Sequence, residues 1–403
     1  MINKIRQYDW KKYNYSLLIV VIMLCLLSAY VVKLAGGDEY GFRYMRNQLI
    51  GLILGLVIVA GMSLIDYHFL CKFTIVYYFA GLVLTASTHT PIGTDNKTGV
   101  NRWISVAGIT FQPSELMKII LILTLAAFFV KFRRRMDRIS TFIIACALAA
   151  VPVLLIMSQP DLSSSLVAVF ILVIMVFVSG LSYRILVPVF LAAIPVLIVL
   201  FWYVQQPGNV ILKDYQYDRI MAWRFPELDV DGRINYQQNR SMRAIAAGQL
   251  YGKLIQDGGE DGASRAYHVV SVNESDFIWS VISEEFGFLG CCLILLLFAF
   301  VIYKCLMVAK KAQDYLGKLI AAGVAAMFMF QIFANICVVT FLFPNTGLPL
   351  PFISSGLSSM VSSMIGIGLV MNISIQPAKS SRGGFSMRNL YGNDPTSEID
   401  IDF

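Results

Sequence analysis

Apolar runs long enough to cross a lipid bilayer recur along almost the whole chain, from Tyr15 to Asn372. A spanning helix needs about 20 mostly apolar residues. Only 14% of the 403 residues are charged and 57% are hydrophobic, whereas roughly a quarter of the residues of a soluble domain are charged. Lipid must therefore be the main solvent, and the sequence predicts an all-α, polytopic membrane protein.

The polar breaks between these runs predict about ten transmembrane helices. The predicted spans are residues 15–34, 49–65, 69–86, 113–130, 139–157, 162–178, 185–204, 288–303, 316–343 and 356–374. They divide the chain into an N-terminal segment, 1–14, a transmembrane domain, 15–374, and a polar tail, 375–403, whose composition predicts disorder. No cleavable signal peptide is apparent, because the first apolar run follows a polar start and is long enough to span.

Lysine and arginine in short connections predict the orientation. They concentrate in residues 4–12, 131–138 and 304–318, which a ten-helix count places on one side, and short cytoplasmic loops carry this excess. Both termini are therefore predicted to be cytoplasmic. The loops 87–112 and 205–276 are predicted to be extracellular, and the second, between helices 7 and 8, is far longer than a connection requires.

The net charge of +7 does not indicate a nucleic-acid partner, because much of the charge lies in these short loops; the predicted surroundings are membrane lipids. Outward basic charge in the long loop suits an anionic ligand such as a lipid diphosphate. The seven cysteines lie in or beside apolar segments without zinc-ligand spacing and are predicted to be small core residues. No Walker A, HExxH, GxSxG or dinucleotide fingerprint occurs, so those chemistries lack support.

Two ionisable side chains fall at the start of the predicted fourth helix, in FQPSELMKI. Pro113 suits the first helical position, and the i, i+3 spacing places Glu115 and Lys118 on one face. One interpretation is an acid that compensates the helix dipole beside a lysine that extends to the outer interface. The other is a functional pair that lines an outward-facing cavity, since charges at membrane depth are costly.

Asp276 ends the long loop, in ESDFIWSVISEEFGFLG. Ser275 or Asp276 could cap the following helix, or Asp276 could carry chemistry. Glu284 and Glu285 lie too far along that helix to share a proton with Asp276. They predict that residues 277–287 line a wet cavity or lie at the interface, and that the span proper starts near Phe288. In SQPDLSSS, Asp161 could cap the sixth helix.

Five segments together resemble the SEDS family, the shape, elongation, division and sporulation proteins typified by RodA and FtsW. The resemblance covers residues from about 46 to 372, and its specific segments are NRWISVAGITFQPSELMKI (101–119), SQPDLSSSL (158–166), NYQQNRSMRAIAAGQLYGK (235–253), ESDFIWSVISEEFGFLG (274–290) and NTGLPLPFISSGLSS (345–359). The glycine-rich run that the family has before its loop aspartate is replaced here by QDGGEDGASRAYHVV.

The resemblance implies a peptidoglycan glycosyltransferase of a bacterial plasma membrane that acts on lipid II beside a class B penicillin-binding protein, the transpeptidase partner. It implies that Asp276 is the catalytic loop aspartate. The other matched residues, expected to bind substrate or line an essential cavity, are Glu115, Lys118, Arg102, Trp103, Asp161, Gln112 and Arg46, the last in an Arg-Asn-Gln sequence where the family usually has Lys-Arg-Gln.

Joining an α-linked lipid diphosphate to a sugar hydroxyl through a β-1,4 bond needs a base and positive charge at the leaving diphosphate. Asp276 is the predicted base. A divalent cation, Mg²⁺ or Mn²⁺, is the one cofactor that this chemistry suggests, and no organic cofactor is expected. Two alternatives remain, a lipid II flippase and a non-catalytic scaffold for a synthase. The sequence does not distinguish elongation, division and sporulation.

Overall fold

The computed structural model describes residues 8–94, 102–106, 109–159, 161–206, 212, 214–229, 231–256, 265–270 and 273–376. Within these ranges the longer elements are helices, in the order α1 Tyr15–Ala35, α2 Gly37–Leu64, α3 Tyr67–Lys72, α4 Thr74–Ala86, α5 Pro113–Lys131, α6 Ile139–Ser158, α7 Leu162–Val178, α8 Tyr183–Tyr203, α9 Asp214–Arg224, α10 Tyr236–Gly248, α11 Lys253–Gln256, α12 Ile278–Lys311, α13 Tyr315–Val339 and α14 Leu357–Ser374.

Eight helices of the described part are long and apolar enough to cross a membrane: α1, α2, α5, α6, α8, α12, α13 and α14. This confirms the prediction of an all-α, polytopic membrane protein. Two further predicted spans coincide with shorter apolar structure. One is the 17-residue α7, and the other is the pair α3 and α4, which is interrupted at Phe73. The total of ten spans stays a prediction.

Three helices form the centre of the bundle. Most of α5, α13 and α14 is buried inside the protein, whereas almost all of α8 is exposed. Small residues let the central helices approach closely, as where Gly323 of α13 lies against Ile122 of α5 and Gly366 of α14 lies against Val324 of α13. Polar side chains of these helices are therefore surrounded by protein rather than by lipid.

Two helices differ from the predicted spans. Helix α2 begins at Gly37, well before the predicted start at residue 49, because its polar first turns continue the same helix beyond the apolar run. Helix α12 is interrupted at Gly287, whose φ of 63° departs from helical geometry. This break coincides with the predicted start of the eighth span near Phe288.

Gly287 also joins α12 to the loop that precedes it. The break leaves the backbone N–H groups of Phe288 and Leu289 without helical acceptors, and they donate to the carbonyls of Gln249 and Leu250. A Cβ atom on Gly287 would collide with the backbone around Tyr251, so only glycine permits this approach. The predicted loop 205–276 thus contains helices α9, α10 and α11, and it is attached to the membrane domain at the kink.

The predicted loop 87–112 contains a small antiparallel sheet. Its strands are β1 Gly93–Thr94, β2 Trp103–Val106 and β3 Ile109–Phe111, in the order β1-β2-β3. Thr94 pairs with Trp103, and Ile104 with Phe111. The sheet therefore ends directly before α5. Of the predicted tail 375–403, only Ile375 and Gln376 belong to the described residues.

All seven cysteines are unpaired and buried or half-buried, as predicted for small core residues. Four of them are Cys25 of α1, Cys146 of α6 and Cys291 and Cys305 of α12, each within an apolar helix. A buried thiol behaves as a small hydrophobic group with a weak donor. The cysteines therefore contribute packing to the bundle.

A histidine lies between two carboxylates where α3 meets the turn before α13, outside the spans. His68 Nδ1 is 2.7 Å from Asp66 Oδ1, and its Nε2 is 2.6 Å from Asp314 Oδ2. Burial lowers the pKa of His68, but the hydrogen bonds to Asp314 and Asp66 outweigh this effect and raise it to about 9. The charged imidazole therefore joins the two elements at neutral pH.

We expect this histidine to make folding stability depend on pH. Its pKa is higher in the folded chain than the ordinary 6.5, so its contribution is complete below about pH 6.5 and is lost as pH rises through about 9. Thermal unfolding in detergent, recorded between pH 6 and 9.5, should show this loss in the native chain and not in His68→Ala. Parallel curves for the two proteins would contradict the assignment.

Candidate active site

Asp276 lies directly before α12, and backbone contacts from two other elements hold it. Asn335 of α13 donates from its amide to the carbonyl of Asp276 at 2.9 Å. The segment before α14 approaches from the other side, where the Ser354 hydroxyl donates to the carbonyl of Ser275 at 2.6 Å. A Cβ on Gly347 would lie 2.9 Å from Asp276 Oδ2. The glycine therefore allows the loop backbone to pass beside the carboxylate.

The carboxylate of Asp276 does not cap α12. The residue before the helix is Phe277, and no side chain makes a capping hydrogen bond there, so the capping interpretation was wrong. Burial raises the pKa of Asp276 to about 6, while the positive charge of Arg102 lowers it and the negative charge of Asp161 raises it. A half-buried carboxylate with a pKa near 6 is ionised at neutral pH and is more basic than an exposed one.

Asp161 joins the start of α7 to Gln112, another predicted site residue. Its Oδ1 accepts the backbone N–H of Ser164 at 3.1 Å, so it caps α7 as predicted. Its Oδ2 accepts from the side chains of Gln112 at 3.0 Å and Ser114 at 3.4 Å. The backbone N–H of Gln112 donates to the hydroxyl oxygen of Ser358 of α14 at 2.9 Å. Through Gln112, Asp161 therefore connects the N-terminal ends of α5, α7 and α14.

Two arginines from distant parts of the sequence interact electrostatically with Asp276. Arg102 precedes β2, and its Nε donates to the carbonyl of Gln159 at 3.1 Å. Arg219 belongs to α9, and its guanidinium donates to the carbonyl of Asn345 at 3.2 Å. Burial lowers the pKa of Arg219, the charge of Arg102 lowers it further, and Tyr215 and Asp276 raise it. Two guanidinium groups that repel each other beside a carboxylate suit an anionic ligand.

Glu115 and Lys118 form a buried ion pair in the first turns of α5. Lys118 Nζ lies 2.7 Å from Glu115 Oε1, and the side chains are 0% and 2% exposed, respectively. The interpretation in which the lysine extends to the outer interface was therefore wrong. The Ser362 hydroxyl of α14 donates to the Glu115 carbonyl at 2.7 Å. The pair lies where α5 packs against α14. Its two side chains meet because the i, i+3 spacing places them on one face of the helix.

Glu284 and Glu285 do not line a wet cavity, which was one of the two predicted placements; the other, at the membrane interface, stays a prediction. Both are almost fully buried. Glu284 binds Lys253 Nζ at 2.5 Å and the backbone N–H groups of Ala266 and Tyr267 at 2.9 Å. Glu285 binds Arg265 Nε at 3.0 Å and the Tyr267 hydroxyl at 2.9 Å. The two carboxylates therefore attach the end of the long loop to α12, because their charges are compensated there.

Arg46 and Trp103 make no described side-chain hydrogen bond or ion pair with the other predicted site residues, although Trp103 directly follows Arg102 in the chain. Arg46 is exposed on α2, and no hydrogen bond or ion pair joins it to them among the described residues. Trp103 is half-buried on β2, where its carbonyl accepts from Thr94 at 3.4 Å. Gln48, two residues after Arg46, is close to the segment before α14, since its amide donates to the carbonyl of Ser354 at 3.4 Å.

Arg219 and Asn335 are the residues that sequence reasoning missed. Arg219 is one of many basic residues in the loop, and nothing in the local pattern distinguishes it. Asn335 is a buried amide in an apolar helix, and buried polar groups require partners. The signal that the sequence offered was an amide within an apolar run, since an amide at membrane depth must bind another polar group. It donates to the carbonyls of Asp276 and Leu348.

No group of three or more His, Cys, Asp and Glu side chains suited to a metal ion occurs in the part of the chain that the structure describes. The negative charge of Asp161 contributes to raising the pKa of Asp276. Mg²⁺ is commonly bound by one or two carboxylates together with substrate phosphates, rather than by a cage of protein ligands. The donor set therefore suits a cation that arrives with a diphosphate and does not suit a closed protein site.

This arrangement matches a known family. A model of the FtsW, RodA and SpoVE proteins, described as a cell cycle protein family, matches residues 11–379. The chain belongs to this family. Its members are the SEDS proteins that the five sequence segments resemble, and those segments contribute Arg102, Asp161, Glu115 and Asp276 to the site.

Relatives and solved structures extend the comparison. The chain is 30% identical over 390 residues to a probable peptidoglycan glycosyltransferase FtsW of Trichlorobacter lovleyi, and this alignment covers 95% of this chain and 96% of the relative. It is 30% identical over 371 residues to the peptidoglycan glycosyltransferase MrdB of Escherichia coli, and this alignment covers 92% of this chain and 96% of the relative. A solved structure, described as "Structural coordination of polymerization and crosslinking by a peptidoglycan synthase complex", covers 90% of this chain and 97% of its own, at 26% identity and a TM-score of 0.73.

Proposed function

We propose that this protein is a peptidoglycan glycosyltransferase that polymerises lipid II into glycan strands. It forms β-1,4 bonds and releases undecaprenyl diphosphate. The observation that carries the proposal is the placement of Asp276, a carboxylate of raised pKa, beside the two arginines Arg102 and Arg219. A base next to concentrated positive charge is the combination that transfer from a sugar diphosphate requires.

The transfer assigns each group a role. Asp276 accepts the proton of the acceptor's 4-hydroxyl as that oxygen attacks the anomeric carbon of the donor. The bond from that carbon to the diphosphate breaks, and its electron pair leaves with the diphosphate. Arg102 and Arg219 stabilise the leaving negative charge by charge-assisted hydrogen bonds. A general base typically contributes about 10²- to 10⁴-fold, so positioning and electrostatic stabilisation supply the rest of the acceleration.

A divalent cation, Mg²⁺ or Mn²⁺, would neutralise the diphosphate further when bound. Asp161 is the carboxylate that would hold it, with the remaining ligands from the substrate, and Asp276 would stay uncoordinated so that it can accept the proton. Asp161 already accepts hydrogen bonds from Gln112, Ser163 and Ser164. Its cap geometry thus orients the carboxylate before any cation arrives.

A class B penicillin-binding protein is the partner that the proposal requires, since glycan strands must also be crosslinked. The similar solved structure describes a synthase complex that coordinates both reactions. The two relatives named for FtsW and MrdB match this chain at equal identity. These matches therefore do not distinguish the elongation, division and sporulation roles, and the partner's identity follows from whichever role applies.

Reconstitution with fluorescent lipid II tests the proposal against its alternatives. Purified protein in vesicles should produce glycan polymer that a muramidase digests, without a requirement for nucleotide. Transfer of lipid II between leaflets without polymer would instead support the flippase, and neither activity would support a scaffold. A vesicle preparation of the Asp276→Asn variant controls for contaminating synthases, because it has the same expression and purification history.

Orientation gives a separate prediction. We propose that the long loop is extracellular and the α5–α6 connection cytoplasmic, because the short connections hold the excess of lysine and arginine. A cysteine at Leu228, which is 61% exposed in the loop, should react with an impermeant maleimide in intact cells. A cysteine at the exposed Arg134 should react only after permeabilisation. The reverse pattern would overturn the orientation.

A further inference from the structure

A cavity of about 680 Å³ lies beside the catalytic cluster, between α9 and the segment that leads into α10. This volume is within the range of about 300–1,000 Å³ that is usual for small-molecule sites. Its lining residues are mostly polar or aromatic, and the ones that carry the argument are Tyr215, Asp218, Arg219, Asp231, Tyr236 and Asn345. None of them was predicted as a site residue from the sequence.

Two residues that line the cavity, Arg219 and Asn345, connect it to the surroundings of Asp276. Arg219 lines the cavity, and its charge interacts with that of Asp276. Asn345 also lines it, accepts a hydrogen bond from Arg219, and lies two residues before Gly347, which passes beside the Asp276 carboxylate. A molecule that reacts at Asp276 can therefore extend into the cavity without leaving the protein surface.

The lining has no excess of positive charge, and this favours an uncharged occupant over a diphosphate. Two arginines, Arg219 and Arg233, are balanced by two aspartates, Asp218 and Asp231, and Arg233 lies 3.6 Å from Asp231. A phosphate group is attracted by a net positive site, and that character belongs to the pair Arg102 and Arg219. A balanced set of donors and acceptors suits an uncharged ligand that offers many hydroxyl and amide groups.

Two tyrosines add a surface for the apolar faces of such a ligand. Tyr215 and Tyr236 both line the cavity, and an aromatic ring combines an apolar face with a polar edge. Gln237 accepts from the Asn345 amide at 2.7 Å, which directs the Gln237 side chain at the cavity wall. Rings, amides and balanced charges together are the chemistry that recognises an N-acetylated sugar.

We propose that this cavity is a saccharide subsite that holds a sugar unit of the glycan next to the one that reacts at Asp276. The inference rests on the proposed function, because it specifies which part of that substrate binds there. The diphosphate then lies at Arg102 and Arg219, and the neutral sugar extends along α9 towards Tyr236. Binding energy from this remote sugar positions the reacting hydroxyl or anomeric carbon.

A soluble peptidoglycan tetrasaccharide without lipid or diphosphate is the probe for this subsite. The full chain in detergent should bind it, as measured by a fluorescence titration. Tyr236→Ala should raise the Kd by about tenfold or more and should shorten the polymer made from lipid II. Tyr236→Phe keeps the ring and should retain binding, since no hydrogen bond from the Tyr236 hydroxyl is among the described contacts. Tyr251→Ala, an exposed tyrosine of the same loop outside the cavity, is the matched control.

The outcomes separate this inference from the proposed function. Polymer from lipid II together with tetrasaccharide binding that Tyr236→Ala leaves unchanged would overturn the subsite alone, as would the absence of binding. Equal loss in Tyr251→Ala and Tyr236→Ala would also overturn it, because the effect would then be general. Tyr236-dependent binding by a protein that makes no polymer would support a saccharide site and overturn the polymerase.

Discussion

Asp276→Asn is expected to lower the rate of glycan polymerisation by about 10²- to 10⁴-fold, the usual contribution of a general base. Asparagine keeps the size of the side chain and removes the proton-accepting carboxylate. The backbone contacts from Asn335 and Ser354 go to carbonyl groups and do not depend on the carboxylate. The variant should therefore fold normally. The measurement is the amount and length of glycan made from purified lipid II at matched protein concentration.

The folded structure also predicts that Asp276→Asn is at least as stable as the native chain. Burial raises the pKa of Asp276 from 3.8 to about 6, so its ionised form is less favourable in the folded protein than in the unfolded one at neutral pH. An amide in its place avoids this cost. Lost activity with an equal or higher Tm would identify a functional carboxylate, whereas lost activity with a lower Tm would indicate a structural one.

Glu274→Gln provides the matched control, because Glu274 is the neighbouring acid of the same loop. Its described hydrogen bond is made by the backbone carbonyl, which accepts from the N–H of Ser355, and its negative charge is the smallest of the effects that raise the pKa of Asp276. Its polymerisation rate at neutral pH should stay close to that of the native chain. The native rate should also fall as pH decreases through about 6, where Asp276 takes up a proton, and this fall should move to slightly lower pH in Glu274→Gln. Near-native polymerisation by Asp276→Asn would exclude the base.

Breaking the buried pair of α5 is expected to have the second largest effect. Glu115→Ala or Lys118→Ala leaves one charge without its partner in a site that is almost fully buried, and such a loss costs about 3–5 kcal/mol. Each single variant should insert into the membrane, lose most of its thermal stability and lose polymerisation. Chromatography in detergent and Tm report the first two effects, and lipid II polymerisation reports the third.

A double variant separates structure from function at this pair. Glu115→Leu combined with Lys118→Met replaces both charges by apolar groups of similar size, which is often neutral for stability. If the pair supports catalysis, the double variant should regain a native Tm and still make no polymer. Polymer from the stable double variant would show that the pair only stabilises the packing of α5 against α14. Thr124→Val, on the same helix, removes a local hydroxyl bond to Ile120 and controls for substitution in α5.

The sequence by itself determined the helices. The apolar runs predicted α5, α7 and α14 to within about one residue at each end, because the length of an apolar run and the position of a proline or glycine are local properties. Pro113 marked the start of α5 in the same way. The five family segments likewise identified Asp276 and Asp161 as candidates, since a short motif is readable without any tertiary contact.

Local reasoning failed where a helix does not follow hydrophobicity. The start of α2 at Gly37 lies in polar sequence, and the docked helices of the long loop have no membrane signal. Glu284 and Glu285 were predicted to line a wet cavity or to lie at the interface. Lys253 and Arg265 instead compensate their negative charges inside the protein. A burial cost depends on which partner arrives from elsewhere in the chain, and the periodicity of one segment does not contain that information.

Only the tertiary structure decided what surrounds Asp276. Arg102 and Arg219 lie more than a hundred residues apart in the chain, and α9 brings the second to the first. The raised pKa of Asp276 results from burial and from the charges of Arg102 and Asp161, which act through distance in space rather than along the sequence. The sequence therefore determined which groups are available, and the packing of the loop helices on the bundle determined which of them act on one carboxylate.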